Sequence, residues 1–310
     1  MTIARRGLFL WWLALVPAGA VLLLLAPAGA VRGRNASLDA ARTQIAQRIA
    51  ASGAEVAVVF RTLDGRERVE INPRESFHAA STMKLGVMLE LFRQVRAGKL
   101  RMDDALPVRN EFHSVVDGSA FQLDSGDDSD FEPYTKIGAT MTVGALCEAM
   151  ITRSSNLATN LLMEKLGIAK IERTVKTNGG AGLNIVRVLE DGKAFEKGIN
   201  NTTTAEALAA LLLRIARGRA VSADASRQMV EILKRQTLNE AIPTGLPPGT
   251  VVAHKTGEIT RIHHDAAIVY APRPFVLVIL VRGMAKQDES SALMAEITRS
   301  LYGAVVAAPQ

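Results

Sequence analysis

Apolar residues recur at i, i+3 and i+4 along several stretches of the chain, and this spacing predicts amphipathic helices. The predicted helices are residues 38–51, 82–97, 143–151, 157–166, 204–217, 223–234 and 290–302. Shorter apolar runs bounded by turn residues predict strands at 55–62, 66–71, 251–256, 266–270 and 275–281. Strands therefore come from both ends of the chain, and most of the helices come from its middle.

This order of elements predicts an α/β (α+β) fold. One antiparallel sheet is flanked by the two terminal helices, and an all-helical domain is inserted between its strands. The α/β part is predicted to comprise residues 35–75 and 236–305, and the helical part residues 76–235. Clefts between such layers are common active-site positions, so we expect the active site in the cleft between the two parts.

The beginning of the chain reads as an export segment. Arg5 and Arg6 precede an uncharged run at 7–31, which is typical of a signal peptide or a membrane anchor in residues 1–30. Ala28-Gly29-Ala30 fits a cleavage site, but the run is also long enough to span a bilayer as an uncleaved anchor. Both alternatives place residues 35 onward outside the cytoplasm, in the periplasm or the extracellular space.

Composition excludes several classes of protein. With 48% apolar residues and a single cysteine, Cys147, the chain is neither disordered nor a disulfide scaffold. Its formal charge of +6 includes Arg5 and Arg6, and this mild balance gives no reason to expect nucleic-acid binding. The acidic stretch 110–136 matches no EF-hand loop, and we expect a solvated loop or a lid.

The first candidate motif is Ser81-Thr82-Met83-Lys84, at the beginning of the predicted helix 82–97. A serine at this point lies at the positive end of the helix dipole, and a lysine three residues later lies one turn away on the same side. Serine needs a neighbouring base to act as a nucleophile, and lysine is a base only when its pKa is lowered. The pattern predicts Ser81 as nucleophile and Lys84 as its base; the alternative is a capped helix with a solvent-facing lysine.

The second candidate motif, Ser154-Ser155-Asn156, falls at a break between two predicted helices. Such a break lets Ser154 and Asn156 both point into a cleft. There a second hydroxyl can relay a proton to a leaving nitrogen, and an amide can hold both a substrate amide and the catalytic lysine. The alternative is a polar helix cap, because serine and asparagine are favoured there.

The third candidate motif is Lys255-Thr256-Gly257 on an apolar strand. Lys255 and Thr256 would offer an ammonium and a hydroxyl to a substrate carboxylate, and Gly257 would allow close approach. The backbone N–H of Glu258, with that of Ser81, would complete an oxyanion hole. An edge-strand lysine kept for solubility is the alternative. Arg261 adds a second cation for the carboxylate or is an ordinary surface residue.

With these three motifs in this order, the chain resembles the penicillin-recognising serine hydrolases, most closely the class A β-lactamases, over residues 38–302. The resemblance implies the two-part fold and no metal or organic cofactor. It also implies a role for each matching residue: Ser81 is the acylated nucleophile, Lys84 its base or proton relay, Ser154 the proton shuttle, and Asn156, Lys255 and Thr256 contact the substrate.

The chain departs from the class A pattern at two points. Ser155 stands where that family has the aspartate of Ser-Asp-Asn, and the family's Glu-x-x-Leu-Asn has no clean match in 184–204. Glu190 is the candidate base for deacylation, because it follows an apolar pair and partial burial would raise its pKa. Glu196 is the second candidate, and an exposed loop glutamate is the alternative for both.

The expected function is that of an exported serine hydrolase that opens β-lactam rings through an acyl-Ser81 intermediate, which water then releases. A D-alanyl-D-alanine peptidase or penicillin-binding protein would use the same nucleophile on cell-wall peptides and deacylate slowly. A covalent β-lactam or muropeptide sensor would bind in the same way and signal through an uncleaved anchor at 7–31. These alternatives differ in the deacylation rate, which sequence motifs do not determine.

Overall fold

The computed structural model describes residues 28–306, with side chains from residue 36 onward. The predicted signal peptide or anchor, residues 1–30, lies almost entirely outside the described residues. Within residues 28–306, no helix combines the length and the apolar character needed to cross a membrane.

The strands form one main antiparallel sheet and three small pairs. In chain order they are β1 (Glu55–Thr62), β2 (Arg68–Ile71), β3 (Phe77–His78), β4 (Ala105–Pro107), β5 (Phe112–His113), β6 (Ala120–Phe121), β7 (Thr140–Thr142), β8 (Thr202–Thr203), β9 (Val251–Ile259), β10 (Ile262–Tyr270) and β11 (Phe275–Arg282). The main sheet has the order β2-β1-β11-β10-β9, and all its neighbouring strands are antiparallel.

The helices lie on both faces of this sheet and in the middle of the chain. They are α1 (Ala28–Ser52), α2 (Lys84–Arg96), α3 (Val143–Thr152), α4 (Asn156–Leu166), α5 (Ile168–Thr177), α6 (Gly192–Glu196), α7 (Ala205–Ala216), α8 (Ala223–Leu233) and α9 (Gln287–Val306). Helix α5 is not among the predicted helices. It buries only three residues and follows α4 directly across Gly167, so its apolar pattern is short.

Two hydrophobic cores lie on opposite faces of the sheet. Along β1, Val56, Val58 and Phe60 pack with α1 and α9, whereas Ala57 and Val59 belong to the core that the central helices share. This alternation is the two-residue period of a strand that is buried on both faces. The predicted fold class is therefore confirmed: an antiparallel sheet with terminal helices on one face and a helical part on the other.

The predicted beginning of helix 82–97 is wrong by two residues. A 3₁₀ turn, Ala80–Met83, comes first, and α2 begins at Lys84. In this turn the N–H of Thr82 bonds to the carbonyl of Ala79 and the N–H of Lys84 to the carbonyl of Ser81, three residues back, which is the spacing of a 3₁₀-helix. Ser81 thus lies in the 3₁₀ turn and does not open the α-helix.

The boundaries of the two predicted parts of the catalytic domain stay a prediction.

Candidate active site

A cleft lies where β9, the 3₁₀ turn before α2 and the loop after α5 meet. It contains a cavity of about 620 Å³, and four of the predicted site residues line it: Ser81, Asn156, Glu190 and Glu258. The acidic loop also contributes to its wall through Asp127 and Ser129, neither of which the sequence motifs indicate.

The turn that carries Ser81 is held by two histidines. The Ala80 N–H donates to His78 Nδ1 at 3.1 Å, and the carbonyl of His78 accepts from His264 Nε2 of β10 at 2.9 Å. Burial lowers the pKa of His264 to about 4, so this ring is neutral at physiological pH. Ala80 has a φ of +44°, and left-handed backbone at a non-glycine residue costs about 1–3 kcal/mol and persists where surrounding contacts enforce it. These contacts fix the position of Ser81.

Ser154 also has a left-handed backbone, with a φ of +61° in the break between α3 and α4. This conformation turns both its carbonyl and its hydroxyl toward Lys84, whose Nζ donates to Ser154 O at 2.7 Å and contacts Ser154 Oγ at 3.3 Å. The same Nζ donates to Asn156 Oδ1 at 2.8 Å. The hydrogen bonds of Lys84 within residues 28–306 thus go to the second motif and not to Ser81.

Lys255 approaches Ser154 from the other side. Its Nζ donates to Ser154 Oγ at 2.9 Å and to the carbonyl of Thr256 at 2.9 Å. Both Lys255 and Lys84 are fully buried, and Thr256 is nearly so. The hydroxyl of Ser154 therefore bridges two buried amines, those of Lys84 and Lys255.

Burial makes both amines unusually easy to deprotonate. Loss of hydration lowers the pKa of Lys84 to about 7, against the opposing charges of Asp128 and Glu190. The pKa of Lys255 lies well below its usual range, because of burial first and the neighbouring Lys84 second. Lys84, with a pKa of about 7, is therefore suited to accept a proton at neutral pH.

Gly257 brings β9 against the Ser81 turn. A Cβ at this position would lie 3.0 Å from Ser81 N and 3.0 Å from Thr82 N, closer than side chains normally approach backbone. The absence of a side chain therefore lets the strand edge and Glu258 lie beside the Ser81 N–H. This is the arrangement expected of an oxyanion hole formed by the N–H groups of Ser81 and Glu258.

Glu190 lies across the cavity from the Ser81 turn, on the loop between α5 and α6. Its Oε1 accepts from Asn156 Nδ2 at 3.0 Å, and its backbone is left-handed with a φ of +61°. Loss of hydration raises the pKa of this carboxyl and Asp127 raises it further, against the charges of Lys84 and Arg187. The side chain is exposed to the cavity, where a water molecule can reach it.

The loop that carries Glu190 is fastened at several points. Asn160 of α4 pairs with both backbone groups of Leu189, at 2.7 and 3.0 Å. The buried Arg187 guanidinium donates to the carbonyls of Ile199 and Val188. These bonds hold Glu190 in place from the flanking positions.

Two predicted candidates lie outside this constellation. Glu196 is exposed at the end of α6 and does not line the cavity. Arg261 occupies the tight turn between β9 and β10, with a φ of +60°, and its guanidinium donates to the carbonyl of Gly283 at 2.6 Å. Arg261 therefore contacts the segment between β11 and α9 and lines a neighbouring cavity. It does not line the Ser81 cavity.

The acidic stretch 110–136 is more than a solvated loop. Asp130 is 6% exposed and forms an ion pair with Arg153 at 2.7 Å, while Asp128 accepts from the first backbone N–H groups of α4. The expectation of a purely solvated loop is therefore wrong for these two carboxylates. Within the part of the chain that the structure describes, no group of three or more histidine, cysteine or acidic side chains is placed to hold a metal.

The fold and the site together define a class of protein. Ser81 lines the cavity of a sheet-and-helix fold, and Lys84 of the same motif is joined to Lys255 through the Ser154 hydroxyl; the same three motifs define the penicillin-recognising serine hydrolases. Residues 40–305 match the β-lactamase enzyme family. The chain therefore belongs to this family and is a hydrolase, and the resemblance seen in the motifs is confirmed.

Individual relatives agree with this assignment. The chain is 25% identical to β-lactamase 1 of Bacillus cereus over 244 residues, which cover 75% of this chain and 73% of that protein. A mutant of the class A β-lactamase of the last common ancestor of Gram-negative bacteria is 27% identical with a TM-score of 0.74, covering 85% of this chain and 98% of that one. PBP-A is 26% identical with a TM-score of 0.73, covering 86% and 96%.

Proposed function

We propose that this protein hydrolyses β-lactams through an acyl-enzyme on Ser81. The observation that carries the proposal is the Ser154 hydroxyl, held 2.9 Å from Lys255 Nζ and 3.3 Å from Lys84 Nζ beside the Ser81 cavity. Membership of the β-lactamase enzyme family supports the substrate class. So does a similar PBP-A mutant, 25% identical, whose acyl-enzyme complex with penicillin G has been solved.

In the acylation step, Ser81 Oγ attacks the lactam carbonyl carbon. Uncharged Lys84 accepts the hydroxyl proton, although its contact with Ser81 forms only in the substrate complex, as is common for catalytic groups. Ser154 passes a proton to the ring nitrogen as the C–N bond breaks. The N–H groups of Ser81 and Glu258 stabilise the negative charge on the carbonyl oxygen, and Asn156, Lys255 and Thr256 hold the substrate.

In the deacylation step, Glu190 takes a proton from a water molecule that attacks the acyl carbon. The ester bond to Ser81 breaks, the Ser81 oxygen regains its proton, and the opened product carries a new carboxylate. The Asn156 amide supports this role, because it donates to Glu190 Oε1 and so orients the carboxylate. A carboxylate with a raised pKa is a stronger base than an ordinary one.

Mixing the mature protein with a chromogenic cephalosporin tests this function. Steady hydrolysis that continues far beyond one turnover per protein molecule is the expected result. A single stoichiometric burst would instead indicate a penicillin-binding peptidase or a sensor, in which the acyl-enzyme persists. No reaction with any β-lactam would contradict the assignment of the substrate class.

The acylation rate is expected to rise with pH through about 7, the pKa to which burial lowers Lys84. Below this pH the Lys84 amine is protonated and cannot accept the Ser81 proton; above it the amine is free. Burst rates measured by stopped flow from pH 5.5 to 8.5 would reveal this rise, which is the rising limb of the pH profile of acylation. A burst rate that is constant over the same range would contradict Lys84 as the proton acceptor.

Gly257→Ala is expected to slow acylation by about 10- to 100-fold, because the new methyl would push β9 away from Ser81 and spoil the oxyanion hole. The burst rate with a chromogenic cephalosporin measures this. Gly303→Ala in α9 is the matched control, since a Cβ there would meet no atom within 4 Å. Equal burst rates for both variants would mean that the close approach at Gly257 has no role in catalysis.

We also propose that the protein is exported, with a membrane anchor as the alternative to cleavage. The uncharged run at 7–31 after Arg5 and Arg6 supports this. Cell fractionation with detection of the amino terminus would distinguish a shortened periplasmic or extracellular form from a full-length membrane-bound form. Recovery of the full chain in the cytoplasm would contradict export.

A further inference from the structure

Asp128, in the acidic loop, is bound to the second motif through an unusual number of donors. Its two carboxylate oxygens accept from the Asn156 N–H at 3.0 and 2.9 Å, and one of them also accepts from the Leu157 N–H at 2.9 Å. The Tyr134 hydroxyl donates to it at 3.0 Å, and the Ser155 hydroxyl lies 3.4 Å away. A single loop carboxylate thus binds the first turn of α4.

The helix needs this carboxylate because its own cap satisfies a different donor. Ser155 is the N-cap residue, and its hydroxyl accepts from the Ala158 N–H at 3.2 Å. The N–H groups of Asn156 and Leu157 are left for Asp128. An anion at this position also interacts favourably with the positive end of the helix dipole.

The backbone that Asp128 binds belongs to Asn156, whose side chain contacts both candidate bases. Asn156 Oδ1 accepts from Lys84 Nζ at 2.8 Å, and Asn156 Nδ2 donates to Glu190 Oε1 at 3.0 Å. A shift of the Asn156 backbone would therefore alter the contacts of both candidate bases.

We propose that Asp128 is a positioning residue of the catalytic site: its carboxylate fixes the Asn156 backbone and thereby orients Lys84 for acylation and Glu190 for deacylation. The inference rests on the proposed function and extends it to the acidic loop. The loop is itself anchored next to this point, because Arg153 pairs with Asp130 at 2.7 Å and Glu132 at 2.9 Å.

The charge of Asp128 also acts on Lys84, which gives a measurable signature beyond stability. Two carboxylates act on the Lys84 amine, Asp128 from the acidic loop and Glu190 from the loop after α5, and the neighbouring amine is Lys255 of β9, whose own pKa lies well below its usual range. Both carboxylates favour the ammonium form of Lys84. Removing the Asp128 charge therefore favours the neutral amine, and the rising limb of acylation moves to lower pH.

The test compares Asp128→Asn and Asp128→Ala with the unmodified protein in burst kinetics from pH 5.5 to 8.5. We expect acylation to slow by about 10-fold or more and its limb to move down by roughly half a pH unit or more. The midpoint of the limb does not depend on how much of the protein is folded, so partial misfolding cannot mask the shift.

Two control variants separate positioning from simpler effects. Asp124→Asn removes the same charge from the same loop, where the carboxylate accepts, among the described residues, only from the Gly126 N–H at 2.8 Å. Arg153→Gln loosens the anchor of the loop and leaves the Asp128 contacts in place. Both are expected to keep the limb near its original pH, although Arg153→Gln should lower the unfolding temperature.

Several outcomes would overturn the inference. If both Asp128 variants keep the acylation rate and the midpoint of its pH dependence, the inference fails while the proposed function stands. The inference also fails if Asp124→Asn or Arg153→Gln shifts this midpoint as much as the Asp128 variants do. If the unmodified protein neither hydrolyses a chromogenic cephalosporin nor forms an acyl adduct, the proposed function fails and the inference fails with it.

Discussion

Ser81→Ala is expected to abolish acylation by β-lactams, with a loss of turnover on the order of 10⁴- to 10⁶-fold. Without the hydroxyl oxygen no ester can form, and Lys84 and Ser154 have no nucleophile to activate. The measurement is the mass of the protein after incubation with penicillin G. Because the unmodified protein is expected to release the acyl group, every protein in this comparison also carries Glu190→Gln: we expect a covalent adduct when Ser81 is kept and none when Ser81→Ala is present.

The fold should survive this change, so that the loss can be assigned to chemistry. Among the hydrogen bonds of residues 28–306, none involves the Ser81 hydroxyl, and its removal leaves no buried partner unpaired. The thermal unfolding midpoint should therefore stay at the value of the unmodified protein. Ser125→Ala, outside the cavity, is the matched control and should form the adduct normally. Adduct formation by Ser81→Ala would show that another nucleophile reacts.

The sheet and most helices could be predicted from sequence because each is long and its apolar period is clear. Strand β11 and the second half of β10 carry continuous apolar runs, which are typical of strands buried on both faces. The turn at Ala80–Met83 was harder, because its residues continue the apolar spacing of α2. The two differ only in the spacing of their hydrogen bonds, since Met83 and Lys84 both have right-handed helical backbone angles.

The motifs predicted the residues of the candidate site, but not all of the contacts that the structure shows among them. Asp128 lies 28 residues before Asn156 in a loop with several carboxylates, and no local spacing distinguishes it from its neighbours. The contact between Lys255 and Ser154 likewise depends on how the helical part packs against β9. Such contacts join distant parts of the chain. The apolar periodicities that predict strands and helices carry no information about them.

Glu190→Gln is expected to trap the acyl-enzyme. The glutamine side chain keeps an oxygen for the Asn156 amide, so acylation of Ser81 should change by less than about 10-fold, but water loses its base. Deacylation should fall by roughly 100- to 10,000-fold, the range that a general base contributes. Stopped flow would show a full burst without steady turnover, and mass spectrometry would show a persistent adduct.

The pH dependence of deacylation provides an independent test of the same residue. Glu190 acts as a base only when ionised, and its surroundings raise its pKa, so the rate of deacylation should fall on acidification at a higher pH than an ordinary glutamate would give. Glu196→Gln is the matched control, because Glu196 lies outside the cavity, and it should turn over normally with the same acidic limb. Trapping of the acyl-enzyme by Glu196→Gln, with normal turnover in Glu190→Gln, would reverse the assignment and place the deacylating base on α6.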